Sequence, residues 1–131
     1  MTAGRARILI VEDEGLIALE LEDHVRVMGY EVSGVVATGA GAVAQAAASA
    51  SAPDLVLMDI ALRGPMDGLE AARQIRAARD VPVVFLTAFA DGATRARAKD
   101  ISPYGFVTKP YNADELRATI EAALRESAAQ R

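Results

Sequence analysis

Short apolar runs alternate with amphipathic stretches along almost the whole chain. Arg7-Ile8-Leu9-Ile10-Val11 is aliphatic, rich in β-branched residues and bounded by charge, which predicts a buried strand. From Glu14 the period changes. Ile17, Leu21, Val25 and Met28 fall on one helical face, and Gly29 stands where a C-capping glycine ends a helix. Residues 31–36 predict a second, weaker strand, and the alanine-rich segment 38–50 predicts a helix stopped by Ser51-Ala52-Pro53. A third strand is expected over 54–58 and a helix over 68–78, with Leu69, Ala72 and Ile75 facing inward. The fourth strand is expected over 81–86, its Pro82 near the start, where a missing N–H is tolerated. Asp91 reads as the N-cap of a short helix through Lys99, and residues 104–107 as a brief fifth strand. Asn112 or Asp114 opens the last helix, through about Ser127, with Leu116, Ile120, Ala123 and Leu124 as its core stripe.

Five continuous apolar strands alternating with helices predict an α/β fold. The expected architecture is a doubly wound parallel sheet of five strands with helices on both faces. No repeat, low-complexity tract or linker interrupts it. One domain is expected over 5–127, with short tails at 1–4 and 128–131.

Composition narrows the chemistry. Cysteine is absent, which excludes a disulfide framework, a thiol nucleophile and Cys-ligated metal. The one histidine, His24, cannot build a multi-histidine metal site. Fourteen basic against 18 acidic residues give a net charge of −4, a poor basis for binding nucleic acid directly. No stretch is long and apolar enough for a membrane span, and Met1 to Arg7 lacks the apolar core of a signal peptide. The expected setting is cytoplasmic.

In an open parallel sheet, ligands bind beyond the carboxyl ends of the strands, and right-handed crossovers bring all those ends to one edge. Glu12, Asp13 and Glu14 follow the first strand, Asp59 the third, Thr87 the fourth and Lys109 the fifth. Clustered carboxylates repel unless a cation joins them. Their hard oxygens suit Mg²⁺, which keeps its own waters and is completed by a substrate phosphate. A metal, a lysine and a hydroxyl around one carboxylate are the parts needed to move a phosphoryl group onto it.

Val11-Glu12-Asp13-Glu14, Leu57-Met58-Asp59-Ile60, Met66-Asp67-Gly68, Phe85-Leu86-Thr87-Ala88 and Thr108-Lys109-Pro110 together resemble the receiver domain of bacterial two-component response regulators, the CheY-like superfamily. The resemblance spans residues 5 to 127. It implies the flavodoxin-like strand order 2-1-3-4-5 and a set of roles. Asp59 would accept a phosphoryl group from a phosphohistidine on a sensor histidine kinase or histidine phosphotransfer protein. Glu12, Asp13, Asp59 and the backbone carbonyl of Ala61 would bind Mg²⁺, with Mn²⁺ as a substitute. Glu12 stands where many members carry a second aspartate. Thr87 would turn its hydroxyl to the phosphoryl group, and Lys109 would neutralise an oxygen. Phe106 sits where the family has an aromatic that follows the threonine, switching the surface of the fourth helix, fifth strand and fifth helix toward an unidentified downstream protein. Lys109-Pro110 resembles the family's cis peptide. The implied protein is a signalling phosphoacceptor rather than an enzyme, either monomeric or dimerising on phosphorylation.

Plainer readings stand beside these. A lone carboxylate after a strand is often a helix N-cap. Phe106 is also a plausible core aromatic, and His24 reads as a packing residue beside the Ile17/Leu21/Met28 stripe. Arg95, Arg97 and Lys99 read as a solvated helix face with an interaction role as the alternative, as do the apolar Leu19 and Val27. An aspartyl-nucleophile phosphatase of the haloacid dehalogenase type would need a second acid at position 61, which is Ala61. A flavodoxin-like cofactor binder would need a Gly/Ser/Thr phosphate loop where Glu12-Asp13-Glu14 stands. A receiver-like docking module without phosphorylation is weakened by the full set of acidic, hydroxyl and lysine residues. No output module is expected after Ser127, which favours a stand-alone receiver over one excised from a hybrid kinase or longer regulator.

Overall fold

A computed structural model of the chain describes residues 5–48, 52–88 and 91–129. Strands and helices alternate throughout: β1 (Arg7–Val11), α1 (Gly15–Val27), β2 (Glu31–Val36), α2 (Gly39–Ala47), β3 (Leu55–Asp59), α3 (Gly68–Ala78), β4 (Val83–Thr87), α4 (Gly92–Ile101), β5 (Phe106–Thr108) and α5 (Ala113–Ala129). The strands form one sheet in the order β2-β1-β3-β4-β5, all pairs parallel, as expected.

Period-two alternation divides the core between the two faces of the sheet. Ile8, Ile10, Leu55, Leu57, Val84, Leu86 and Val107 pack on one side against Leu21 and Val25 of α1 and Leu116, Ile120 and Ala123 of α5. Leu9, Val11, Val56, Met58, Val83 and Phe85 pack on the other against α2, Leu69, Ala72 and Ile75 of α3, and Ala98 of α4. Both faces are covered, so β1, β3 and β4 are apolar without interruption.

The helices are held unequally. Leu21 and Val25 are fully buried on α1, contributing ~1.5–3 kcal/mol each. On α4 only Ala98 is buried, with Ile101 half-buried, and a buried methyl contributes about 1 kcal/mol. Helix α4 is the weakest grip on the sheet.

Local chemistry sets the boundaries. Asp67 accepts from Glu70 N at 2.9 Å, Asp91 from Thr94 N at 2.7 Å, and Asn112 from Glu115 N at 2.7 Å, opening α3, α4 and α5. Gly29 closes α1 with φ 99°, in the left-handed region that favours glycine. Thr38 caps α2, but the helix stops at Ala47 rather than reaching residue 50. Its last core contact is Ala46, Ala48 is already extended, and the expected end at 49–51 lies outside the described residues. Strands β3, β4 and β5 each end one residue later than the apolar pattern indicates, and start one or two residues later. Asp59 and Thr87 are their polar last rungs, paired with Leu86 and Thr108. Helix α5 runs two residues past Ser127, itself buried; the expected tail at 1–4 lies outside the described residues.

Candidate functional site

Three strand ends carry the site. Val11 is in register with Met58 across the β1–β3 pair, so Glu12 and Asp59 emerge side by side where the winding direction of the sheet reverses. Alternation puts Glu12, Asp59 and Lys109 on the α1/α5 side, one position beyond Val11, Met58 and Thr108. The Lys109 amide donates to the Thr87 carbonyl at 2.7 Å, which fixes the lysine at the end of β5 beside β4.

The side chains converge. Lys109 Nζ donates to Glu12 Oε1 at 2.8 Å and stands 3.4 Å from Asp59 Oδ2. Glu12, Asp13 and Asp59 each present a carboxylate oxygen, all within 4.8 Å of one another. The Glu12 side chain is sealed from solvent and that of Asp59 nearly so. Backbone donors hold the outer oxygens. Ala61 N donates to Asp59 Oδ1 at 3.1 Å, Arg63 N to Asp13 Oδ2 at 3.0 Å, and Glu14 N to Glu12 Oε2 at 3.2 Å.

Electrostatics explain what such a cluster demands. Burial pushes the Glu12 carboxyl above its usual range, against the opposing pull of the Lys109 hydrogen bond. Burial works against the Lys109 ammonium, but its bond to Glu12 and the fields of Asp59 and Glu12 outweigh that and raise its pKa. Three carboxylates and one ammonium leave two negative charges in a nearly dry site. The Arg63 guanidinium lies 3.6 Å from Asp13, but its side chain is 83% exposed, so solvent screens it. A divalent cation that prefers oxygen ligands fits this donor set and this charge.

Thr87 is buried at the end of β4. By alternation it lies on the α3/α4 face, the same face as Phe106, whose strand neighbour is Phe85, two residues before Thr87. Phe106 therefore does not enter the acidic cluster. It sits half-buried beside α4, with the Arg95 guanidinium 4.8 Å from its ring centroid. The Lys109-Pro110 peptide is cis, as expected. His24 packs its ring edge-on to Tyr111, with centroids 6.0 Å apart, which is a packing role.

Arg63 and Gly68 belong to the site and carried no sequence-based role. Arg63 acts through its backbone N–H, which no side-chain pattern reveals. A Cβ on Gly68 would collide with the Asp59 carbonyl, and its amide donates to Ile60 O at 2.9 Å. The glycine lets α3 start directly beneath Asp59; in sequence Met66-Asp67-Gly68 counts only toward the family resemblance.

A family model described as the response regulator receiver domain matches residues 8–121. The chain belongs to that family. Among similar proteins, the transcriptional regulatory protein PdtaR of Mycobacterium tuberculosis is 38% identical over 118 residues, which are 90% of this chain and 56% of PdtaR. The sensory transduction protein RegX3 of Mycolicibacterium smegmatis is 39% identical over 121 residues, 92% of this chain and 51% of RegX3. The receiver domain thus spans about half the length of these curated relatives. The signal receiver domain of a modulated diguanylate cyclase from Desulfovibrio desulfuricans superposes with a TM-score of 0.88 and 37% identity, covering 97% of this chain and 99% of that one. The PhyR response regulator receiver domain of Erythrobacter litoralis does so with a TM-score of 0.78 and 40% identity, covering 93% and 92%. Response regulators are a signalling family, acting between kinases and downstream effectors. No helix among the described residues is long and apolar enough to cross a membrane.

Proposed function

We propose that this receiver domain accepts a phosphoryl group on Asp59 from a phosphohistidine of a sensor histidine kinase or histidine phosphotransfer protein, with Mg²⁺ held by Glu12, Asp13, Asp59 and the Ala61 carbonyl. The observation that carries this reading is Lys109 Nζ lying between Glu12 and Asp59 in a cluster with two excess negative charges. In the transfer, an Asp59 oxygen forms a bond to phosphorus as the phosphorus–nitrogen bond breaks, and the imidazole leaves. Mg²⁺, or Mn²⁺ in its place, would supply charge neutralisation for the incoming phosphoryl group. The Ala61 amide, already bonded to Asp59 Oδ1, fixes the rotamer of the acceptor. Lys109 remains as the cation available to a phosphoryl oxygen.

The site gains about one negative charge and new acceptor oxygens, because the −1 of the carboxylate is replaced by a phosphoryl group carrying about −2. Thr87 turns its hydroxyl toward it, Phe106 follows on the same face of the sheet, and α4, the least anchored helix, shifts with β5 and α5. Phosphorylation thereby biases two packings of one surface, read by a downstream protein or a second copy of the domain. The cytoplasm, where such phosphodonors act, is the proposed setting.

Intact-mass measurement after incubation with acetyl phosphate, with and without Mg²⁺, tests this. The parent is expected to gain one phosphoryl group only with the cation, and Asp59→Asn none. Undiminished labelling of Asp59→Asn overturns the acceptor assignment, and a parent that never labels leaves a docking module as the reading.

A further inference from the structure

We propose that Arg95 is a latch on the switch ring: stacked on Phe106, its guanidinium holds that ring in its outer position and so favours the unphosphorylated packing. The inference rests on the reading above, in which Phe106 moves when Asp59 is phosphorylated.

Four observations meet at this contact. The Arg95 guanidinium carbon lies 4.8 Å from the centroid of the Phe106 ring, within cation–π range. Among the described residues Arg95 forms no ion pair, so the ring face is the partner its charge has. A groove of about 320 Å³ opens beside the ring between α4 and β5, lined by Arg95, Ala98, Lys99, Ser102, Gly105 and Phe106, with no acidic side chain to draw the guanidinium away. Helix α4 buries only Ala98, with Ile101 half-buried against the core, so few side chains tie it to the sheet and the Arg95–Phe106 contact adds one that bridges α4 to β5.

The consequence follows from ring electrostatics. A cation over the face stabilises the ring where it stands and gives nothing once the ring turns inward toward Thr87. A cation–π contact at a partly exposed site corresponds to about a two- to fivefold bias in the ratio of the two ring positions. Inward movement also frees the guanidinium into the groove, so one event changes both the shape and the charge of this surface. Arg95 is a positioning residue here and touches no reacting atom. Lysine would replace it incompletely, because an ammonium lacks the planar group that stacks on a ring.

The test labels the three phenylalanines with 4-fluorophenylalanine and reads the Phe106 resonance by fluorine NMR, assigned with Phe106→Leu. Parent, Arg95→Ala and Arg95→Lys are compared before and after acetyl phosphate with Mg²⁺. The parent resonance is expected to move on phosphorylation. In Arg95→Ala without phosphodonor it should already lie part of the way to that position, and the initial labelling rate should rise about two- to fivefold. Arg95→Lys should fall between. A parent that responds while the Arg95→Ala resonance and rate equal the parent's overturns the latch and leaves the switch intact. A parent resonance that stays still while Asp59 is phosphorylated overturns the switch reading, and the latch with it.

Discussion

Lys109 Nζ donates to Glu12 Oε1 at 2.8 Å across 97 residues of chain, and the same ammonium stands 3.4 Å from Asp59. One cation thus stabilises two buried carboxylates at rest and competes with any metal ion for them. Removing it should pull two properties in opposite directions. Lys109→Ala is expected to bind Mg²⁺ about tenfold more tightly, since a unit charge a few ångströms away no longer opposes the ion. Its labelling by acetyl phosphate should fall, because no ammonium remains for the phosphoryl oxygen. Calorimetric titration with Mg²⁺ and mass spectrometry check the two arms; weakened metal binding would contradict the charge argument.

Gly68 lies directly beneath the acceptor. In Gly68→Ala the new methyl would meet the Asp59 carbonyl and sit 2.8 Å from Ile60 Cα, so backbone must move. Urea denaturation should show a loss of about 1–3 kcal/mol, the usual range for overpacking. Labelling of Asp59 should slow in the variant even where it remains folded, because the displaced turn also carries the Ala61 amide.

Ser102 closes the start of β4. Its hydroxyl accepts from Val83 N at 2.9 Å and donates to Val83 O at 2.8 Å, fully out of solvent. Ser102→Ala leaves both backbone groups without that partner and is expected to cost about 2 kcal/mol. Thermal and urea unfolding measure this. A variant as stable as the parent would show that the edge of β4 finds other partners.

Tyr111 governs an alkaline transition. Burial, then the charges of Glu20 and Glu12, push its phenol up to about 12. A folded-state pKa above the unfolded value of 10.0 means that the neutral phenol stabilises the fold. That contribution is complete below pH 10 and is lost as pH rises through about 12. Absorbance at 295 nm should show a phenol step near pH 12 that Tyr111→Phe removes, while the phenol of Tyr30, also pushed up by burial, still titrates in that variant.

How far the sequence reaches is clear from particular residues. The continuous apolar runs within 7–11, 54–58 and 81–86, together with the helical stripe Ile17/Leu21/Val25, suffice for a parallel sheet covered on both faces, because burial on two sides demands uninterrupted apolar runs. The polar residues that break each run mark the sheet edge where the site lies. The apolar pattern places the ends of β3 and β4 one position short because Asp59 and Thr87 are polar yet paired, and hydropathy does not register a backbone ladder.

Only the tertiary structure decided how the polar groups at that edge pair and which face of the sheet each takes. It put Lys109 between Glu12 and Asp59, gave Asp13 a backbone donor from Arg63, seated Gly68 against the Asp59 carbonyl, and kept Phe106 on the opposite face under Arg95. Local propensity is a property of a few neighbouring residues and is written in them. A contact across 50 or 97 residues depends on strand register and on helices packing at a fixed distance, and those are settled by the whole core at once.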